Sequence, residues 1–191
     1  MIEKALFYFK NDVEWREWLL KNHSSFDGVH LIFYKVDSEK VSMRWEEAVK
    51  VALCFGWIDS TIKKIDHEKR KQYFSPRNPK SAWSKLNKTY IKELIATNAM
   101  HQSGLDKIKF AKKNGSWTAL DAVENGIIPP ELQTAFGKNS IAFENYTNFS
   151  PSYRKGYLYW LHEAKREATR ERRIAEIIRL CKENIKSRDN W

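Results

Sequence analysis

The sequence predicts an α+β protein, on three observations. Short apolar runs and one hairpin pattern occupy the first half of the chain. The hydrophobic period changes abruptly after Gly56, and beyond about residue 98 every start and stop signal is helical. Together these predict a small antiparallel sheet of three or four strands with helices over residues 1–98. An all-helical bundle over 99–191 follows, as a second domain or as part of one continuous globular unit.

Ala5 to Phe9 reads as a short strand, stopped by Asn11-Asp12, either of which can cap a helix. Trp15, Trp18 and Leu19 then fall at i, i+3 and i+4, the spacing of an apolar helix face. Val29 to Lys35 is apolar at nearly every position and predicts a strand buried on both faces. After a polar turn, Ser42 is placed to cap a helix carrying Glu46 and Glu47 in its first turns, where the macrodipole favours negative charge. Gly56 ends that helix, because the position after a helix commonly needs a positive φ. Trp57–Ile65 and Lys69–Ser75 flank Asp66-His67-Glu68 and read as a hairpin. Pro76 and Pro79 close it, and Ser81 or Ser84 opens the next helix.

Further on, Ser103-Gly-Leu-Asp106 and Thr118-Ala-Leu-Asp121 resemble capping boxes. Pro129-Pro130 and Asn139-Ser140 open two short helices. Ser150-Pro151 places a capping serine before a proline at the first helical position. Thr169 is the expected start of the last helix, whose buried stripe is Ile174, Ile177, Ile178 and Cys181.

A chain of 191 residues with 42% hydrophobic residues is long enough to bury a core and unlike a disordered one. No apolar run approaches the roughly 18 residues that a membrane span needs, and the start lacks the apolar core of a signal peptide, so a cytoplasmic location is expected. Net charge is +10, and it is concentrated. Ser60–Lys92 holds ten Lys/Arg against Asp66 and Glu68, a net of +8, and Ser150–Trp191 holds eleven against six, a net of +5. Such asymmetry points to an anionic partner.

Common catalytic patterns are missing. The sequence has no glycine-rich phosphate loop, no Gly-x-Ser-x-Gly elbow, and no histidine or cysteine spacing that suits a metal. No catalytic residue, cofactor or metal is therefore expected. Cys54 and Cys181 read as buried thiols. Asp59 is a candidate pocket carboxylate, with Lys63 two pleats further along the same strand; its alternative is a structural acid bonded to neighbouring donors.

Two basic segments are candidate anion sites. In the first, Tyr73, Phe74 and Trp83 interleave with Arg77, Lys80, Lys85 and Lys88, a pattern that suits base stacking with cations along phosphates. The alternative is that the aromatics anchor a loop and the lysines are solvated. In the second, Arg166, Arg170 and Arg173 surround the last inter-helix turn and could clasp a phosphate or carboxylate. Glu163, Glu167 and Glu171 are close enough to make it a surface ion-pair network instead.

At these residues the sequence resembles the YdeI/OmpD-associated, bacteriocin-protection family. The resemblance rests on Trp15-Arg-Glu-Trp-Leu19, Asn22-His-Ser-Ser25, Glu46-Glu-Ala48 and above all Leu53-Cys-Phe-Gly-Trp-Ile-Asp-Ser60. Phe74-Ser-Pro-Arg77, Pro79-Lys-Ser81 and Trp83-Ser-Lys85 extend it, and Ser150-Pro-Ser152, Tyr157, Trp160, Ala164-Lys165, Thr169-Arg170 and Arg173-Ile-Ala175 resemble the family's C-terminal helical module. Ala82 and Leu86 depart from it, standing where asparagine and valine are expected. The resemblance implies a role in tolerance of bacteriocins or antimicrobial peptides and brings no catalytic residue with it.

The expectation is thus a non-enzymatic protein that binds an anion or an interaction partner. One alternative is a nucleic-acid-binding protein using residues 73–88. Another is an enzyme for a small anionic substrate, with Asp59, Arg77 and Ser60 lining a pocket. A protein partner docking on the C-terminal helices is a further reading.

Overall fold

The structure is a computed structural model that describes residues 4–188, and the fold is α+β. The chain divides into two compact units, Met1–Thr118 and Ala119–Trp191.

The first unit holds a four-stranded sheet of β1 (Leu6–Tyr8), β2 (Val29–Tyr34), β3 (Trp57–Lys64) and β4 (Lys69–Pro76), in the spatial order β1-β2-β4-β3. The sheet is mixed rather than wholly antiparallel as expected. β1 runs parallel to β2, pairing Leu6 with His30 and Tyr8 with Ile32, while the other two pairings are antiparallel. The parallel pair follows from the connection. Eleven residues of helix, α1 (Asp12–Asn22), cross over between the two strands, which no tight hairpin could do.

α1 starts where the sequence says: the Asn11 side chain accepts from the Glu14 backbone N–H at 3.0 Å. Trp15 and Leu19 on its inner face are completely buried. α2 (Trp45–Cys54) is buried almost all round, with Ala48, Val49, Val51, Ala52, Leu53 and Cys54 in the core. It touches α1, β3, α3 (Lys85–Ala96) and α4 (Gln102–Lys113), so it is the central rod of this unit. Its N-cap is Arg44, not Ser42, whose hydroxyl instead accepts from the Tyr34 backbone N–H. Gly56 follows α2 at φ +74°, as the helix stop requires.

Two helix starts further on also differ. His101 rather than Ser103 caps α4, its ring nitrogen accepting from the Ser103 N–H at 3.2 Å. Thr118 caps nothing: α5 (Asp121–Glu124) begins after Leu120 with no side-chain cap.

β2 corrects one expectation with consequences for function. Its apolar run was expected to be buried on both faces, yet burial alternates strictly along it. Val29, Leu31 and Phe33 face the core with Phe74 of β4, while His30, Ile32 and Tyr34 lie on a face left half open.

The second unit contains α5, α6 (Pro130–Gly137), α7 (Ser140–Asn148), α8 (Pro151–His162) and α9 (Glu167–Lys182). α9 packs against α6, α7 and α8, and α5 against α8. α9 is capped by Arg166, not Thr169. Its buried face carries Ile177, Ile178, Leu180 and Cys181, and Leu132, Phe136, Tyr146, Tyr157 and Leu161 are also buried in this unit.

Candidate anion-binding surfaces

The first candidate segment is built around a buried cation. Arg77 is 4% exposed and Trp83 2%. The guanidinium lies 3.8 Å from the Trp83 ring centroid and donates to the Ala82 carbonyl, while its Nε has no hydrogen-bond partner. Burial lowers the Arg77 pKa to about 10, opposed in part by the carboxylate of Asp59, so it remains charged at neutral pH. Phe74 is fully buried on the core face of β4. Of the three aromatics read as stacking platforms, Phe74 and Trp83 therefore have no face to offer a base. They anchor the loop, while Lys80 and Lys85 stand exposed beside it.

Sequence reading passed over Trp117, which does meet cations at the surface. It is half-buried against Trp83, ring centroids 5.0 Å apart, and the ammonium groups of Lys88 and Lys112 lie 5.5 and 5.4 Å from its centroid. The two parts of the chain are held together by Asn114, whose side-chain amide donates to the Pro79 carbonyl at 2.8 Å. The signal was available: Lys112-Lys113-Asn-Gly-Ser-Trp117 repeats the aromatic-basic interleaving of residues 73–88.

Asp59 sits on the core side of β3 opposite Phe74. Its Oδ2 accepts from the Trp45 indole N–H at 2.9 Å and from the Gln72 side-chain amide. Gln72 is 1% exposed and its own Oε1 has no partner. Lys63 does not share this face. A bulge sets Asp59 opposite Phe74 and Ile62 opposite Gln72, so three steps on β3 match two on β4 and Lys63 emerges on the other side, paired with Lys71. Ser60 is exposed. Cys54 is buried, and burial raises its pKa against the smaller opposing effect of Arg16.

The second arginine cluster is spent on helix ends. Arg170 donates to the Leu161 carbonyl at 3.3 Å and pairs with Glu131, and Arg173 donates to the Trp160 carbonyl while lying 5.1 Å from the Trp160 ring centroid. Arg173 thus serves a carbonyl in the last turn of α8, and Arg170 adds to the Leu161 carbonyl, which also accepts from the Ala164 N–H; the macrodipole favours cations at this helix end. Arg166, at the cap of α9, is exposed.

What sequence reading missed altogether is the open face of the sheet. Tyr8 on β1, Tyr34 on β2 and Tyr73 on β4 lie on it, with His30, Lys69, Lys71 and Lys63. Tyr8 meets Tyr34 edge-on at 5.4 Å, and the His30 and Tyr73 rings are 5.1 Å apart. The ammonium groups of Lys40 and Lys69 lie 5.1 and 5.7 Å from the Tyr34 centroid. Aromatic and cationic groups are interleaved here across all four strands rather than along one segment, so linear spacing conceals them.

Among the described residues no group of histidine, cysteine, aspartate and glutamate side chains could hold a metal ion, and no helix is long and apolar enough to cross a membrane. No curated protein and no solved structure matches the chain significantly. Residues 125–184 match the family described as Bacteriocin-protection, YdeI or OmpD-Associated, the family the sequence resembles. The motifs at Leu53–Ser60 and Phe74–Lys85 fall outside that stretch. They lie within residues 7–107, more than half of the chain, which match a domain of unknown function, DUF8412, and the chain belongs to that family.

Proposed function

We propose that this chain is a non-enzymatic binding protein whose first unit takes an anionic partner on the open face of its sheet. Single-stranded nucleic acid is the class that face suits. The observation that carries the reading is the presence of three tyrosines and the lysines of β3 and β4 on one half-open face. Stacking on tyrosine tolerates any base, and ammonium groups follow the phosphates without reading sequence. Bacteriocin protection, the role carried by the name of the family matched at residues 125–184, would then be exercised through an anionic partner. A chain of net charge +10 is a poor trap for cationic peptides, since like charges repel.

The test is fluorescence anisotropy with a labelled single-stranded oligonucleotide. Affinity should fall by orders of magnitude between about 50 and 200 mM salt. Tyr34→Ala and the pair Lys63→Glu/Lys71→Glu should each weaken binding at least about tenfold, whereas Arg166→Ala should leave it unchanged. Absence of binding at low salt, or binding indifferent to salt, overturns the reading.

A further inference from the structure

We propose that the cavity at the first turn of α8 is a binding site for a small organic oxyanion, a phosphate ester or carboxylate with an apolar body. The cavity has a volume of about 440 Å³ and lies wholly within the second unit. That falls within the roughly 300–1,000 Å³ usual for small-molecule sites.

Three kinds of donor converge on it. The first is backbone. α8 opens at Ser150-Pro151, and its first helical bond runs from the Arg154 N–H to the Ser150 carbonyl at 3.1 Å. Pro151 has no N–H, so the N–H groups of Ser152 and Tyr153 are left without helical acceptors, and of these two residues Ser152 lines the cavity. The Ser150 side chain makes no capping bond to them. A helix end in this condition favours an anion through both its N–H groups and its dipole.

The second donor is Tyr146. It lines the cavity at 2% exposure, and its hydroxyl has no hydrogen-bond partner among the described residues. Burial pushes its pKa up to about 12, so the phenol is protonated at neutral pH and can donate to a bound oxygen. The ring is buried but the hydroxyl is not sealed in the core, so a ligand oxygen in the cavity can accept its hydrogen bond in place of water.

The third is Arg154, whose guanidinium makes no hydrogen bond or ion pair among the described residues. Lys155, on the same wall, is paired with Glu124 at 3.1 Å. Arg154 therefore leaves one uncompensated positive charge facing the cavity, in the planar fork that suits phosphate and carboxylate oxygens. Val123, Ile128 and Pro151 supply apolar wall for the remainder of the ligand. The arginines Arg170 and Arg173 have no part in this site, being engaged at the other end of α8.

The experiment is an amide NMR titration of the full chain with phenyl phosphate and, separately, benzoate, with phenol as the uncharged control. Saturable shifts of the Ser152 and Tyr153 amides are expected with at least one of the two anions. The tighter of the two identifies the phosphate or the carboxylate form. Arg154→Gln, a half-exposed position that should fold normally, is expected to weaken that binding at least tenfold, and Tyr146→Phe by a smaller factor. No saturable shift at these amides with either anion would overturn the proposal. So would equal affinity for phenol, or unchanged affinity in Arg154→Gln. None of these outcomes bears on oligonucleotide binding by the sheet, which involves the first unit.

Discussion

The guanidinium of Arg77 is stacked on the indole of Trp83, and each side chain covers the other from water. Removing the ring would open a large cavity and strand a buried charge. Trp83→Ala should therefore cost about 3–5 kcal/mol, the range for a buried large aromatic, with the uncovered charge adding to it. Arg77→Met, which keeps the stem and removes the charge, should cost much less than Arg77→Ala. Urea unfolding of the three variants measures both. At temperatures where all are folded, none should change oligonucleotide affinity, which separates anchoring from ligand contact.

The pair also marks where sequence reading reached its limit. The stop at Gly56 and the hairpin about Asp66 could be read directly, and the caps at Asn11 and Ser84 to within two candidates each, because each depends on residues only a few positions apart. The mixed sheet could not, since the direction of β1 relative to β2 depends on how α1 packs through Trp15 and Leu19. Nor could the fate of Trp83 or Arg170. An aromatic among lysines reads the same whether its ring is buried or bare. An arginine near a turn reads the same whether it faces solvent or the carbonyls of the helix before it. The bulge after Asp59 is a third case: one extra residue carries Lys63 to the opposite face, and no residue type announces it.

Gly104 should tolerate no side chain. A Cβ there would come within 2.2 Å of the Cys54 carbonyl oxygen, because α4 crosses the C-terminal end of α2 at that point. The obstruction is backbone, so relief requires the helices to separate. Gly104→Ala should destabilise the first unit by about 1–3 kcal/mol despite alanine's higher helix propensity. Gly137→Ala, with open space around it, is the control. A thermal melt in which the two variants behave alike would contradict the close crossing.

Arg170 and Arg173 should behave as stability residues. Each donates to a carbonyl in the last turn of α8, and Arg173 also lies against Trp160. Arg173→Ala should cost about 1–3 kcal/mol, since it removes a charged donor from partly buried carbonyls. Arg166→Ala should stay within about 0.5 kcal/mol, as expected of an exposed side chain. Chemical denaturation gives the ordering, and an effect of Arg166→Ala as large as that of Arg173→Ala would refute it.

Alkaline pH should act on the second unit through its buried thiol and phenol. Burial pushes the pKa of the Cys181 thiol from 9.0 up to about 12, and that of the Tyr146 phenol from 10.0 to about 12. Both groups ionise more readily in the unfolded chain, so the stability their neutral forms contribute is fully present below about pH 9 and is lost as pH rises towards 12. Each group contributes a slope of about 1.4 kcal/mol per pH unit within its own window. Between pH 9 and 10 the thiols act before the phenol does. Cys54, whose pKa burial also raises, acts in the same direction on the first unit. Cys181→Ala should therefore lower stability at pH 8, through lost packing, yet lose less per pH unit between 9 and 10 than the parent. Equal slopes in urea titrations of the two proteins would mean that the Cys181 thiol ionises as readily in the folded chain as in the unfolded one.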